Sequence, residues 1–159
     1  MPVIIDGHNL LWAIQGMGDK YEAITDVRLC HIVGRYLKTI GEQGEIVFDG
    51  TGPPDKSRFD NIPNLEVFFA GLGTDADTVI ESKIRANTAP KRLTVVSSDR
   101  RLISAAGTRR APVVKAEAFW RTLQSRPGRA TKIKEPPSKH IGLTESETEQ
   151  WFKLFGLDQ

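Results

Sequence analysis

Five short apolar runs constrain this chain most: PVII (2–5), EIVF (45–48), LEVFF (65–69), LTVV (93–96) and APVVK (111–115). They are brief, rich in β-branched residues, and mostly lack an alternating polar face. Strands of that kind are covered on both sides, as in a parallel sheet between helical layers. The intervening segments supply the helices. In DVRLCHIVGRYLKTIG, residues Leu29, Ile32, Val33, Tyr36, Leu37 and Ile40 recur at three- and four-residue spacing and make one helix face. DADTVIESKIRAN sets Ile80 and Ile84 one turn apart, DRRLISAAG reads as a short helix closed by Gly107, and EAFWRTL (117–123) is a further helical stretch. Strand alternating with helix predicts an α/β fold with a parallel sheet and right-handed crossovers. Residues 49–62, DGTGPPDKSRFDNI, are dense in turn formers and read as a long loop.

A chain of 159 residues suits one domain with a true core. We place that domain at residues 1–124. Residues 125–142 (SRPGRATKIKEPPSKH and the two residues after it) are basic, proline-containing and aperiodic, the composition of a linker or arm. Residues 143–156 form an amphipathic helix expected to pack on the domain: Thr144 and Glu147 make a capping box, Trp151, Leu154 and Phe155 a stripe, and Gly156 a stop. No apolar run nears the roughly 20 residues that span a bilayer. MPVIID lacks the basic start of a signal peptide. The single cysteine, Cys30, fits a reducing cytoplasm and reads as a small core residue; His31, on a helix face with core residues, reads as structural.

Net charge is +2, yet residues 83–134 carry 14 Lys/Arg against 2 Asp/Glu. A block so basic is a candidate footprint for a phosphate backbone; the bland alternative is a solvated surface with its charges scattered around the fold.

The acids fall in a pattern of their own. Asp6 ends the first apolar run, Asp49 the second, Asp77 follows the third through GLGTDAD, and Asp99 follows the fourth in VVSSD. Sites in open parallel sheets form at the carboxyl ends of strands, so four acids arrive at one edge. Each has a structural explanation as well. Asp99 suits a helix N-cap, Thr74 with Asp77 suits a capping pair, and the glycines behind Asp6 and Asp49 suit turns. Together, crowded carboxylates repel unless protonated or neutralised by a cation, and hard divalent ions take such oxygen ligands. Glu81 lies one turn from Asp77 on the same helix face. Asn9 can orient a carboxylate or water, and Ser97 and Ser98 can support Asp99. His8 is a substrate contact or a loop-packing residue, turned away from the acids if the strand continues through it. No spacing suggests zinc, a phosphate-binding P-loop, a dinucleotide fingerprint or a serine nucleophile elbow.

VIIDGHNLL, IVFDG, ADTVIE and LTVVSSDRRL, in that order over roughly residues 2–120, resemble the NYN domain family, a branch of the PIN-like nucleases, and within it the YacP-like group, which includes a ribosome-associated endoribonuclease. The resemblance implies a three-layer α/β/α sandwich of PIN-like type, with a five-stranded parallel sheet in order 3-2-1-4-5. It implies hydrolysis of RNA phosphodiesters with Mg²⁺ or Mn²⁺, leaving a 5′-phosphate and a 3′-hydroxyl. Asp6, Asp77 and Asp99 would be the catalytic, metal-binding acids, with Asn9, Asp49, Glu81 and Ser98 in support. His8 departs from the tyrosine frequent in the family. RNA, on the ribosome or off it, is the expected partner; no membrane or small-molecule cofactor is expected. For gripping the backbone the candidates are Arg58, Arg100, Arg101, Arg109, Arg110, Arg126, Arg129, Lys132 and Lys134. A non-catalytic RNA- or ribosome-binding module on the same fold is the alternative. A phosphatase using Asp6 as nucleophile is a weaker one, because its second aspartate would fall where His8 stands.

Overall fold

The computed structural model describes residues 2–17 and 24–132, with side chains as far as Ser125. The expected C-terminal helix at 143–156, and Lys134, lie outside the described residues. Five parallel strands, β1 (Val3–Asp6), β2 (Gly44–Phe48), β3 (Leu65–Phe69), β4 (Thr94–Val96) and β5 (Val113–Val114), form one sheet in the order β3-β2-β1-β4-β5. Five helices accompany them: α1 (Gly7–Gln15), α2 (Asp26–Ile40), α3 (Ala76–Ala86), α4 (Arg100–Thr108) and α5 (Ala116–Lys132).

Alternation along the strands builds two cores. Val3, Ile5, Ile46, Phe48 and Val96 pack with α1, α2 and α5 on one face. Ile4, Val47 and Val95 pack with α3 and α4 on the other. The result is the expected three-layer α/β/α sandwich. Continued one residue further, the same alternation turns Asp6 toward the layer of α3 and α4.

Two departures from the sequence reading bear on the site. The glycine and amide behind Asp6 do not make a turn: α1 begins at Gly7, directly after β1. Leu10, Ala13 and Ile14 bury one side of it, and that burial decides the conformation. Gly7 is required by packing, since a Cβ there would stand 2.5 Å from the Phe48 ring. The second departure is α5, which runs on through Pro127 and Gly128 to Lys132, past the expected end near Leu123. Smaller differences concern His31, which is exposed while Cys30 is buried, and α4, which passes through Gly107 to Thr108.

The crossover from β2 to β3 contains no α-helix. Its long loop holds a single 3₁₀ turn, Ser57–Phe59, and seats Phe59 and Ile62 in the core beside α2. Gly34 of α2 allows that approach; a Cβ there would meet the Ile62 side chain at 2.5 Å and the Pro63 carbonyl at 2.9 Å.

Candidate active site

The chain leaves β1 toward β2 on one side and reaches β4 on the other, so the topological switch lies between β1 and β4. Their carboxyl ends deliver Asp6 and the segment Ser97-Ser98-Asp99. An open cavity of about 440 Å³ lies at this edge, lined by Asp6, His8, Asn9, Leu11, Trp12, Gln15, Asp49, Asp77 and Asp99. All four acids that the strand ends were expected to deliver thus face one space.

Asp6 is the most enclosed of them, 5% exposed. Burial, reinforced by the charge of Asp77 and less by that of Asp99, pushes its carboxyl up to about 6; the Asn9 backbone N–H and the Ser97 hydroxyl oppose the rise. Asp77, in the first turn of α3, is also raised, by partial burial and by Asp99, with Arg101 opposing. The Asp75 side chain caps α3 by accepting from the Thr78 N–H at 2.8 Å. The expected capping pair of Thr74 and Asp77 is therefore not used, and Asp77 is left to the cavity. Asp99 does cap α4, accepting from the Arg101 N–H at 2.8 Å, and it lines the cavity as well.

Ser97 joins two of the acids. It is 1% exposed, donates its hydroxyl to Asp6 Oδ2 at 3.3 Å, and accepts the Asp99 backbone N–H at 3.0 Å. Ser98 faces elsewhere. Its hydroxyl donates to Glu117 Oε1 at 2.8 Å and accepts the Ala116 N–H at 3.1 Å, while its own N–H donates to Asn9 Oδ1 at 2.8 Å. Asn9 thereby ties the start of α1 to the end of β4. Asp49 Oδ1 accepts the Ala76 N–H at 2.7 Å, fixing the start of α3 beside β2. His8 turns toward the acids, because it sits on a helix and not on an extended strand. Its Nδ1 accepts the Asp49 N–H at 3.1 Å, so the 3.5 Å approach of Asp49 Oδ2 to that nitrogen is a contact and not a donated bond.

Glu81 does not join Asp77 in the cavity lining. It accepts from Arg101 Nη2 at 2.9 Å; the same guanidinium donates to Thr78 Oγ1 at 3.0 Å and approaches Asp75 at 3.7 Å. Arg101 is thus engaged in joining α3 to α4. The other cations are spread out. Arg100, the first residue of α4 after Asp99, is exposed, and Arg58 is exposed on the 3₁₀ turn. Arg109 and Arg110 follow the far end of α4, where Arg109 donates to the Asn87 carbonyl. They are remote from the acids because α4 runs back to the opposite sheet edge to reach β5. The last turns of α5 carry residues 126–132 in that direction too, at 1.5 Å per residue.

The donor set is all oxygen and acidic, and the carboxyls of Asp6 and Asp77 are raised, chiefly by burial and further by the acids that face them. Among the described residues, no three Asp, Glu, His or Cys side chains stand close enough to hold one ion between them. These residues suit a hydrated hard ion, which keeps several waters and takes one or two carboxylates together with phosphate oxygens. They do not form a closed cage of three carboxylates.

Sequence reasoning missed Leu11, Trp12 and Gln15 because it missed α1, although the spacing of Leu10, Ala13 and Ile14 carries the helical signal. Of the two serines read as able to support Asp99, Ser97 bonds Asp6 and Asp99, whereas Ser98 bonds Glu117, Ala116 and Asn9.

A PIN-like parallel α/β sandwich with an acidic cavity at its switch point is the class that fold and site define. More narrowly, the model of the YacP-like NYN domain matches residues 3–154, and the chain belongs to that family. No curated protein matches it. Among solved structures it is similar to Rae1 (YacP) from Bacillus subtilis, at 21% identity and a TM-score of 0.64, covering 98% of this chain and 92% of that one. A tryptophan-to-leucine mutant of the same protein gives 22% identity and a TM-score of 0.64 over 92% and 91%.

Proposed function

We propose that this chain is a metal-dependent endoribonuclease, with Asp6, Asp77 and Asp99 as its catalytic acids and RNA, including ribosome-bound mRNA, as its substrate. The observation that carries the reading is the convergence of these acids on one cavity at the switch point, two of them with carboxyls held above their ordinary range. A surface evolved only to bind phosphate has no use for clustered negative charge. Membership in the YacP-like NYN family supports the reading.

Asp6, Asp77 and Asp99 would hold Mg²⁺ or Mn²⁺, directly or through water. A bound ion of this kind supplies Lewis acidity toward the phosphodiester and an activated water. The protein's part is positioning. Ser97 sets Asp6 relative to Asp99, Asn9 holds α1 against the end of β4, Asp49 fixes the start of α3, and Arg101 keeps the two acid-bearing helices together. Among the described residues no helix is long and apolar enough to cross a membrane, and we place the enzyme in the cytoplasm.

The test is cleavage of labelled RNA by the purified chain with Mn²⁺ or Mg²⁺, with EDTA, and with Asp99→Asn. Asparagine can still accept the Arg101 N–H, so the cap and the fold persist. Cleavage should be lost both in EDTA and in the variant. A variant that cuts as fast as the parent removes Asp99 from the chemistry. A parent that binds RNA and never cuts it leaves the non-catalytic binding module as the function.

A further inference from the structure

Two large apolar side chains stand exposed among the described residues, Trp12 at 73% and Leu72 at 91%. Only Trp12 lines the cavity that holds the acids. It lies on α1, opposite the face that Leu10, Ala13 and Ile14 bury, and six residues after Asp6. Leu11 and Gln15 line the same space.

The electrostatics make this position informative. An RNA strand entering the cavity meets Asp6, Asp49, Asp77 and Asp99; among the described residues no Lys or Arg lines it, and Arg101, whose charge reaches Asp77, is engaged with Glu81, Thr78 and Asp75. Arg109 and Arg110 lie at the other end of α4. Without a bound cation, charge therefore opposes entry of a phosphate backbone here, and affinity from the protein's own side chains at this point comes from contacts that do not depend on charge. An indole face beside the acids provides one, because every nucleobase has a π-face to stack on it. A base held in a duplex has no free face to offer.

We propose that Trp12 is a stacking platform for an unpaired nucleobase adjoining the scissile phosphate, and so the residue that selects single-stranded RNA at this site. Gln15, one turn on, is placed to reach the edge of that base. The proposal rests on the nuclease reading above and deepens it.

The experiment measures binding by the full chain, in EDTA so that no cleavage intervenes, of a fluorescent single-stranded RNA, the matching duplex, and a series with one abasic nucleotide at successive positions. Trp12→Ala should weaken single-strand binding about 5- to 150-fold. It should also abolish the position-dependent loss that the abasic series shows with the parent. Trp12→Phe should restore most of both. Because the residue is largely exposed, the alanine variant should melt with the parent. If Trp12→Ala binds with parental affinity and keeps the parental abasic profile, the platform is refuted, while metal-dependent cleavage by the parent would leave the nuclease reading in place. If the parent binds no RNA of any form in EDTA, the platform fails, and if it also cuts none with Mn²⁺ the nuclease reading fails with it. If the parent binds RNA and cuts none, with the abasic profile sensitive to Trp12, the platform stands and the catalytic reading falls.

Discussion

Asp6→Asn offers a test that requires neither substrate nor metal. The Asp6 carboxyl moves from its ordinary 3.8 to about 6, chiefly because β1 delivers it into a nearly closed position and secondarily because Asp77 faces it. At 1.36 kcal/mol per pKa unit, ionising it in the fold costs roughly 3 kcal/mol more than in the unfolded chain. The sign follows from linkage. The folded state holds this proton more tightly, so the carboxyl supports the fold fully below about pH 4 and that support is lost as pH rises through about 6. Asparagine cannot ionise and escapes the loss. Urea denaturation of parent and variant in EDTA, at pH 4 and pH 8, isolates the effect, since changes in packing or hydrogen bonding cancel between the two pH values. The variant should gain about 2 kcal/mol on the parent between them, slightly below the full amount because the unfolded carboxyl is already half ionised at pH 4. A stability difference that does not change with pH would refute the premise that Asp6 is held against its own charge.

Other perturbations test neighbouring parts of the structure. Gly7→Ala brings a methyl into the Phe48 ring, and overpacking of this kind should cost about 1–3 kcal/mol, read as a lower urea midpoint with unchanged slope. Ser97→Ala leaves the buried Asp6 oxygen and the Asp99 N–H without their shared partner; it should destabilise by about 1–3 kcal/mol and, under the proposed function, slow cleavage at saturating RNA. Neutralising Arg126, Arg129, Lys132 and Lys134 together should weaken single-strand binding and flatten its salt dependence by as much as about 3 in log–log slope, leaving cleavage at saturation intact; an unchanged slope would remove this segment from the RNA path.

The strands were legible because burial on both faces leaves a signature that is local in sequence. LEVFF matches β3 residue for residue, and the other runs sit within two residues of their strands. α2 was legible because its one-sided face is long, and all but Ile40 of the six residues read as that face are buried. α1 was not, because Asp6-Gly7-His8-Asn9 carries every local mark of a turn while its helical signal lies further on, in Leu10, Ala13 and Ile14. Tertiary packing overrides the local preference there, and the side chains of α1 that reach the cavity went unseen with it. Partner choice was illegible for a different reason. Whether Arg101 meets a phosphate or Glu81 depends on how α3 and α4 sit side by side, which no spacing within either segment encodes. The basic block between 83 and 134 could likewise be one footprint or a scattered surface by spacing alone; α4 and α5 run antiparallel to the strands and spread it along the depth of the sheet.

Capping and chemistry are not competing explanations for these acids. Asp6 precedes α1, Asp77 sits in the first turn of α3, Asp99 caps α4, and Asp49 accepts the first N–H of α3. Three helix N-termini therefore point their positive ends at one cavity, and that arrangement lets the fold carry four carboxylates at a single edge. Each such end stabilises a nearby anion by about 0.3–1 kcal/mol, and by no more than about 2 in buried settings. The net shift of Asp6, chiefly from burial, costs its ionised form roughly 3 kcal/mol, and Asp77 is raised in the same sense. Helix ends thus hold the acids in place without fully settling their charge. The remainder is what a divalent cation relieves, so millimolar Mg²⁺ or Mn²⁺ should raise the parent's melting temperature at pH 8 and do little for Asp6→Asn. Equal shifts in the two proteins would show that the ion binds elsewhere.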